Sequence, residues 1–271
     1  MKKLFDKVIV SSDDDPMYLN FWPIVSKSYQ KYFGVKPDLA LVTDLPEDHP
    51  LLDKLREHGN VHIVKKMKGI PVGNLSKIAR FIVAARFDIQ VCMIEDIDTI
   101  PLQSSFITDR VSQRSEGEIL AVGHEVQRNT PHAGKFPISN ITSEGKNFKK
   151  LFNPLDLNDE DCVNSFIGMR IFDHKEDVKN DPSIFSDESL IRALIEKNSL
   201  SHLIKKVDRN VDIHRDWIDR SWWHVDEGKL KSDGYVCCNF LRPFKDNIKH
   251  FGAIIEHVYG SQPEENEIFV L

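Results

Sequence analysis

The sequence predicts an α/β fold with a mostly parallel sheet flanked by helices. Three observations carry this. Short apolar runs alternate with stretches of helical spacing in β-α-β-α-β order from Lys7 onward, the pattern of a right-handed parallel sheet. Each apolar run is short and ends in small or polar residues, as a buried strand does. The run Val91-Cys92-Met93-Ile94 leads straight into Glu95-Asp96-Ile97-Asp98. Chemistry-bearing residues at such a strand end sit where ligands bind open α/β sheets.

The elements follow in order. Lys7 to Ser12 reads as the first strand, and Asp13-Asp14-Asp15-Pro16 as a loop and helix start, with an Asp N-cap and Pro in the first turn. Apolar residues from Tyr18 to Phe33 recur at helical spacing; Pro23 kinks that helix or shifts its start, and Gly34 ends it. Leu39 to Asp44 and Val61 to Val64 read as strands around a helix from Leu51 to His58 that Gly59 closes. A helix from about Leu75 to Arg86 precedes the acidic strand and carries Lys77 and Arg80 three positions apart, hence on one edge. Further strands are expected over Glu118 to His124, Val163 to Phe172 and Val211 to Ile213. Helices are expected from about Ser143 to Phe152, from Ser186-Asp187-Glu188 onward, and from Asn247 to Tyr259.

With 271 residues, 41% hydrophobic and 29% charged, the chain is expected to form a single domain, residues 1–102 making one half of a site and 103–271 the other. The net charge of −6 argues against a nucleic-acid surface but leaves room for a local basic pocket. No run of about 18 apolar residues exists, so no membrane span is expected. Val8-Ile9-Val10 is too short for a signal-peptide core. Cys92, Cys162, Cys237 and Cys238 form no CxxC pair and no disulfide framework, which points to a reduced, cytoplasmic protein.

Asp96 and Asp98 are two apart, so on an extended strand end their carboxylates point the same way and repel unless a cation lies between them. Mg²⁺ or Mn²⁺ suits such oxygen ligands, and a bound diphosphate would share the charge. The bland alternative is an acidic strand-to-loop junction. Alternation sets Glu95 opposite Asp96, toward a core or helix cation.

The polar acidic exit of the first strand, the Lys77-x-x-Arg80 helix, the strand leading into Asp96-Ile97-Asp98 with Pro101-Leu102 after it, the strand-like Ser165-Phe166-Ile167-Gly168 and the Ser186-Asp187-Glu188 helix start together resemble a GT-A glycosyltransferase, over roughly residues 7–250. The resemblance implies sugar transfer from a nucleotide-sugar. It implies that Asp96 and Asp98 form a DxD motif holding Mn²⁺ or Mg²⁺ on the donor diphosphate, that Ser11, Ser12 and Asp13 meet base and ribose, and that Lys77 and Arg80 contact phosphate or sugar. Many relatives add a C-terminal His to the metal; here the candidates are Asn239 and His250. Asp187 or Glu188 would act as general base if the reaction inverts, against a plain helix-capping role.

His124-Glu125 could line an acceptor pocket or merely end a strand. Trp222 and Asp226 could stack on a sugar and bind its hydroxyls, although of the adjacent Trp222 and Trp223 at least one belongs to the core. Arg242 could meet the diphosphate or pair with a core acid. The expected partners are a UDP-sugar first, a GDP-sugar second, and a glycan acceptor. Alternatives are a nucleotidyltransferase making nucleotide-sugars, disfavoured because Asp13-Asp14-Asp15 would repel a triphosphate, and a non-catalytic carbohydrate-binding protein on the same fold.

Overall fold

The computed structural model describes residues 4–66, 71–123, 136–137, 139–152 and 187–271. In chain order the elements are β1 (Lys7–Asp13), α1 (Pro16–Leu19), α2 (Trp22–Phe33), β2 (Asp38–Val42), α3 (Pro50–His58), β3 (Asn60–Val64), α4 (Val72–Ala85), β4 (Val91–Ile94) and β5 (Thr99–Pro101). Then come α5 (Ser105–Val111), β6 (Ile119–Val122), β7 (Ile141–Glu144), α6 (Gly145–Leu151), α7 (Asp187–Lys197), β8 (Ile204–Val207), α8 (Ile213–Asp216) and β9 (Trp217–Ile218). The last are α9 (Glu227–Lys231), β10 (Cys237–Asn239), α10 (Ile248–Tyr259) and α11 (Glu265–Ile268).

Seven strands form the main sheet in the order β3-β2-β1-β4-β7-β6-β8. Every pairing is parallel except those of β7, which runs antiparallel to both β4 and β6. Alternation along each strand splits the interior into two layers. Val8, Val10, Leu39, Leu41 and Met93 face a core shared with α2, α3 and α10, while Ile9, Ala40, Val42, Cys92 and Ile94 face one shared with α4, α6 and α7. Strands covered on both faces are apolar throughout, which is why they read as unbroken runs. Each fully buried aliphatic side chain contributes roughly 1.5–3 kcal/mol relative to exposure.

Pro23 shifts the helix start. The chain breaks after Leu19, and α2 begins at Trp22 with Pro23 in its first turn, where the missing N–H costs nothing. Gly34 closes α2 at φ 63°, the left-handed conformation glycine tolerates best.

Two sequence expectations are corrected. The helix expected from Ser143 starts at Gly145, because Ile141–Glu144 is β7. Thr142 and Ser143 are fully buried polar residues there, so the strand lacks the apolar run that marks its neighbours. Val211-Asp212-Ile213 is no strand: the Asp212 carboxylate accepts the His214 N–H at 3.0 Å and caps α8. The strand expected over Val163 to Phe172 lies outside the described residues.

A second, three-stranded sheet in the order β5-β10-β9 joins the chain just after β4 to two C-terminal strands. Among the described residues, no helix is long and apolar enough to cross a membrane. Cys92, Cys237 and Cys238 are free thiols in the core; Cys162 lies outside the described residues.

Candidate active site

From β1 the chain first builds outward through β2 and β3, then returns to place β4 on the other side of β1. That reversal opens a crevice at the carboxyl ends of β1 and β4. Pairing between the two strands stops early. The Glu95 N–H still donates to Ile9 O at 3.1 Å, whereas Ser11, Ser12 and Asp13 go on pairing with β2 alone. The chain after Ile94 bends away, and a cleft of about 420 Å³ fills the gap. Its walls carry Ser11, Ser12, Asp13, Tyr18, Lys77 and Arg80 from the first part of the chain, Asp96 and Asp98 from the β4–β5 turn, and Arg220 and Arg242 from the C-terminal part.

Asp96 and Asp98 do not sit on an extended strand end. The Thr99 N–H donates to Asp96 O at 3.2 Å, closing a turn over the acidic residues. Each carboxylate has its own arginine partners. Arg80, only 3% exposed on α4, donates from Nη1 to Asp96 Oδ1 at 2.5 Å and to the Glu95 carbonyl at 2.8 Å. Asp98, 7% exposed, accepts at Oδ2 from Arg220 Nη1 at 2.6 Å and lies 3.1 Å from Arg242 Nε. Burial raises the Asp98 carboxyl, with Asp96 adding to the rise, while Arg220 and Arg242 oppose it. Arg242 also donates from Nη1 to the Tyr18 hydroxyl at 2.5 Å and stacks over its ring at 5.2 Å.

Glu95 points inward, as alternation requires. It is 1% exposed, and its Oε1 accepts the Asp96 N–H at 2.9 Å. Burial, reinforced by Asp96, pushes it up to about 8, against the pull of Arg80 and Arg209. It therefore stays largely uncharged at neutral pH. Burial likewise raises Asp13 at the β1 exit. Of the acidic triplet only Asp13 lines the cleft: Asp14 is bound by Thr43 Oγ1 at 2.7 Å and Lys66 Nζ at 3.0 Å, and Asp15 caps α1 by accepting the Met17 N–H at 2.8 Å.

Among the sequence candidates, the cleft gathers Ser11, Ser12, Asp13, Lys77, Arg80, Asp96, Asp98 and Arg242. Asn239 and His250 do not line it. The Asn239 side chain accepts from Thr99 Oγ1 at 2.6 Å and donates to Asp219 Oδ2 at 2.8 Å, and His250 is exposed on α10. Asp226 caps α9 by accepting the Lys229 N–H at 2.9 Å. Trp222 is 39% exposed and contacts His214 with ring centroids 4.5 Å apart, while Trp223 packs on Phe251 at 5.2 Å, so one tryptophan is core and one faces out. Asp187 and Glu188 open α7, which packs against α4 and α6. His124 and Glu125 lie outside the described residues. Sequence reasoning missed Tyr18 and Arg220, whose partners are 224 and 122 positions away. No local spacing marks such pairs.

Among the described residues, the donor chemistry of this cleft does not fit a dedicated divalent-metal centre. Among the described residues, no cluster of three or more His, Cys, Asp or Glu could hold an ion. An ion between Asp96 and Asp98 would strip Asp98 of two charge-assisted contacts. It would also sit against the guanidiniums of Arg220 and Arg242, which those contacts hold beside Asp98.

No family model matches the chain, and no curated protein matches it. Solved structures do. The galactosyltransferase LgtC, crystallised with donor and acceptor sugar analogues, aligns with a TM-score of 0.52 at 11% identity, over 96% of this chain and 98% of that one. An active-site mutant of LgtC aligns with a TM-score of 0.52 at 12% identity, over the same 96% and 98%. The glycosyltransferase GlyE of Streptococcus pneumoniae TIGR4 aligns with a TM-score of 0.45 at 12% identity, over 87% of this chain and 55% of that one. The mixed sheet, its strand reversal and the full-length alignment to LgtC identify the fold of this chain as the GT-A glycosyltransferase fold.

Proposed function

We propose that this protein is a glycosyltransferase that moves a sugar from a nucleoside-diphosphate donor to a glycan acceptor. The observation that carries the reading is the cleft at the β1/β4 reversal, where a hydroxyl-rich strand end meets four cations, Lys77, Arg80, Arg220 and Arg242. A nucleotide-sugar has matching parts. Ser11, Ser12 and Asp13 supply hydroxyl and carboxylate groups for base and ribose, and the cations stabilise charge that builds on the leaving diphosphate. Such groups accelerate transfer by binding that charge more tightly as the glycosidic bond breaks.

The acceptor side is proposed around Trp222. It ends the same short turn that begins at Arg220, so an exposed aromatic face stands two residues from a cleft arginine. Sugar rings stack on such faces. Asp187 and Glu188 are the proposed carboxylates for deprotonating an acceptor hydroxyl, tested by D187N and E188Q. Uridine is the proposed base and guanosine the second choice.

A thermal-shift screen of nucleoside mono-, di- and triphosphates, followed by assay of donor-sugar release, tests the reading. Stabilisation by one nucleoside diphosphate and turnover of its sugar conjugate are expected. Preference for a triphosphate would favour nucleotidyl transfer. Binding of glycans with no response to any nucleotide would leave a carbohydrate-binding protein and end the transferase proposal.

A further inference from the structure

Resting on that reading, we propose that Arg220 and Arg242, both anchored on Asp98, bind the donor diphosphate in the role that a divalent ion would otherwise fill. Asp98 then acts as a positioning residue for two arginines, not as a metal ligand.

The charge count supports this. Among the described residues, the cleft is lined by four cations (Lys77, Arg80, Arg220, Arg242) and three carboxylates (Asp13, Asp96, Asp98), an excess of one positive charge within a chain of net charge −6. The anion is therefore met by charge already built into the protein.

Donor geometry supports it too. Arg220 gives one N–H to Asp98, while Arg242 stands with Nε 3.1 Å from the same Asp98 oxygen and gives one Nη1 hydrogen to Tyr18. The remaining N–H groups of both forks have no hydrogen-bond partner among the described residues. Held at a single carboxylate oxygen, the two planar guanidiniums are fixed close together, a spacing suited to two linked phosphoryl groups. Asp98 is itself held from behind, since the Phe240 N–H donates to its carbonyl at 2.9 Å. Arg220 and Arg242 are 38% and 31% exposed at the side chain, so a ligand can reach them.

The test is calorimetric binding of inorganic pyrophosphate and of UDP to the whole chain, in EDTA and in Mn²⁺. Both ligands are expected to bind in EDTA, with less than a threefold gain from Mn²⁺. R220M and R242M are each expected to weaken pyrophosphate at least tenfold in EDTA. D98N is expected to weaken it in the wild-type background but to add little in R220M/R242M, because Asp98 acts through the arginines. Melting curves confirm that each variant is folded, and the metal comparison on the unaltered protein needs no variant. Binding only with Mn²⁺, or arginine variants that bind as the wild type does, overturns the inference. D98N that binds as well as wild type overturns the anchoring role. Pyrophosphate bound without metal through the arginines, but with no added affinity for any nucleoside diphosphate, supports the arginine site and overturns the donor reading. No binding of either ligand overturns both.

Discussion

Arg220 Nη1 donates to Asp98 Oδ2 at 2.6 Å, joining residues 122 positions apart. Because Arg242 meets the same oxygen, Asp98 is a buried carboxylate neutralised from two sides. R220M/R242M leaves it unpaired. Its carboxyl, already raised by burial, then rises further above its unfolded value of 3.8. A raised carboxyl destabilises the fold once pH exceeds the unfolded value, so the stability gap between this variant and wild type should widen as pH climbs from about 4 to 7. Urea denaturation at several pH values reads it; a gap independent of pH would show that Asp98 is not the group responsible.

Arg80 and Asp96 form the second pair of the turn. Arg80→Met removes a buried guanidinium that also satisfies the Glu95 carbonyl. Asp96 is 38% exposed at the side chain and can take water, so the expected loss is about 2 kcal/mol and not the larger cost of a fully buried orphan charge. A double-mutant cycle with Asp96→Asn should show coupling of about 1 kcal/mol; additivity within error would mean the pair contributes nothing specific.

Glu95 gives the chain a pH signature of its own. Its folded value of about 8 exceeds the ordinary 4.5. The folded state holds this proton across that window, so stability falls as pH rises from about 4.5 to 8 and levels off above. Glu95→Gln keeps an oxygen for the Asp96 N–H and should flatten that part of the profile. An unchanged slope in the variant would assign the effect to another group.

Two glycines make a matched test of packing. A Cβ on Gly145 would lie 2.6 Å from the Ala84 carbonyl and 2.8 Å from the Asp88 nitrogen, both backbone. Gly145→Ala should cost about 2–3 kcal/mol, since neither α4 nor its exit can yield without moving the helix. Gly252 lies within α10 with nothing inside 4 Å of its Cβ position. Gly252→Ala should stabilise by about 0.5–1 kcal/mol. Chemical denaturation of both variants reads the contrast, and equal effects would refute it.

Tyr18 offers a finer probe. Tyr18→Phe keeps the ring under Arg242 and removes the hydroxyl that accepts its Nη1 hydrogen. UDP affinity should fall about 3- to 10-fold, in line with about 1 kcal/mol for one hydrogen bond, with little change in melting temperature. Unaltered affinity would remove Tyr18 from the site.

The layered sheet was legible because buried parallel strands spell themselves in apolar runs, and the cleft because ligands gather where strand order reverses. β7 was not, since its fully buried Thr142 and Ser143 carry no apolar signal. β8, with Lys205 and Lys206 at its centre, is masked in the same way. Lys77 and Arg80 could be placed on one helix edge by spacing alone, yet the burial of Arg80 follows from its tertiary partner Asp96. The carboxylates of Asp96 and Asp98 were visible, but the arginines that answer Asp98 come from segments too distant for any periodic pattern to connect.

The small sheet has a consequence for how the protein is made. β5, just past the acidic turn, pairs with β10, more than 130 residues later. A ribosome therefore releases Arg220 and Arg242 only after β1 and β4, whose carboxyl ends open the cleft, have been made. The cleft stays incomplete until translation has passed Arg242. A stop codon before Trp217 would remove both arginines together with α10, so one truncation strips the cleft of its far wall and one face of the sheet of part of its cover.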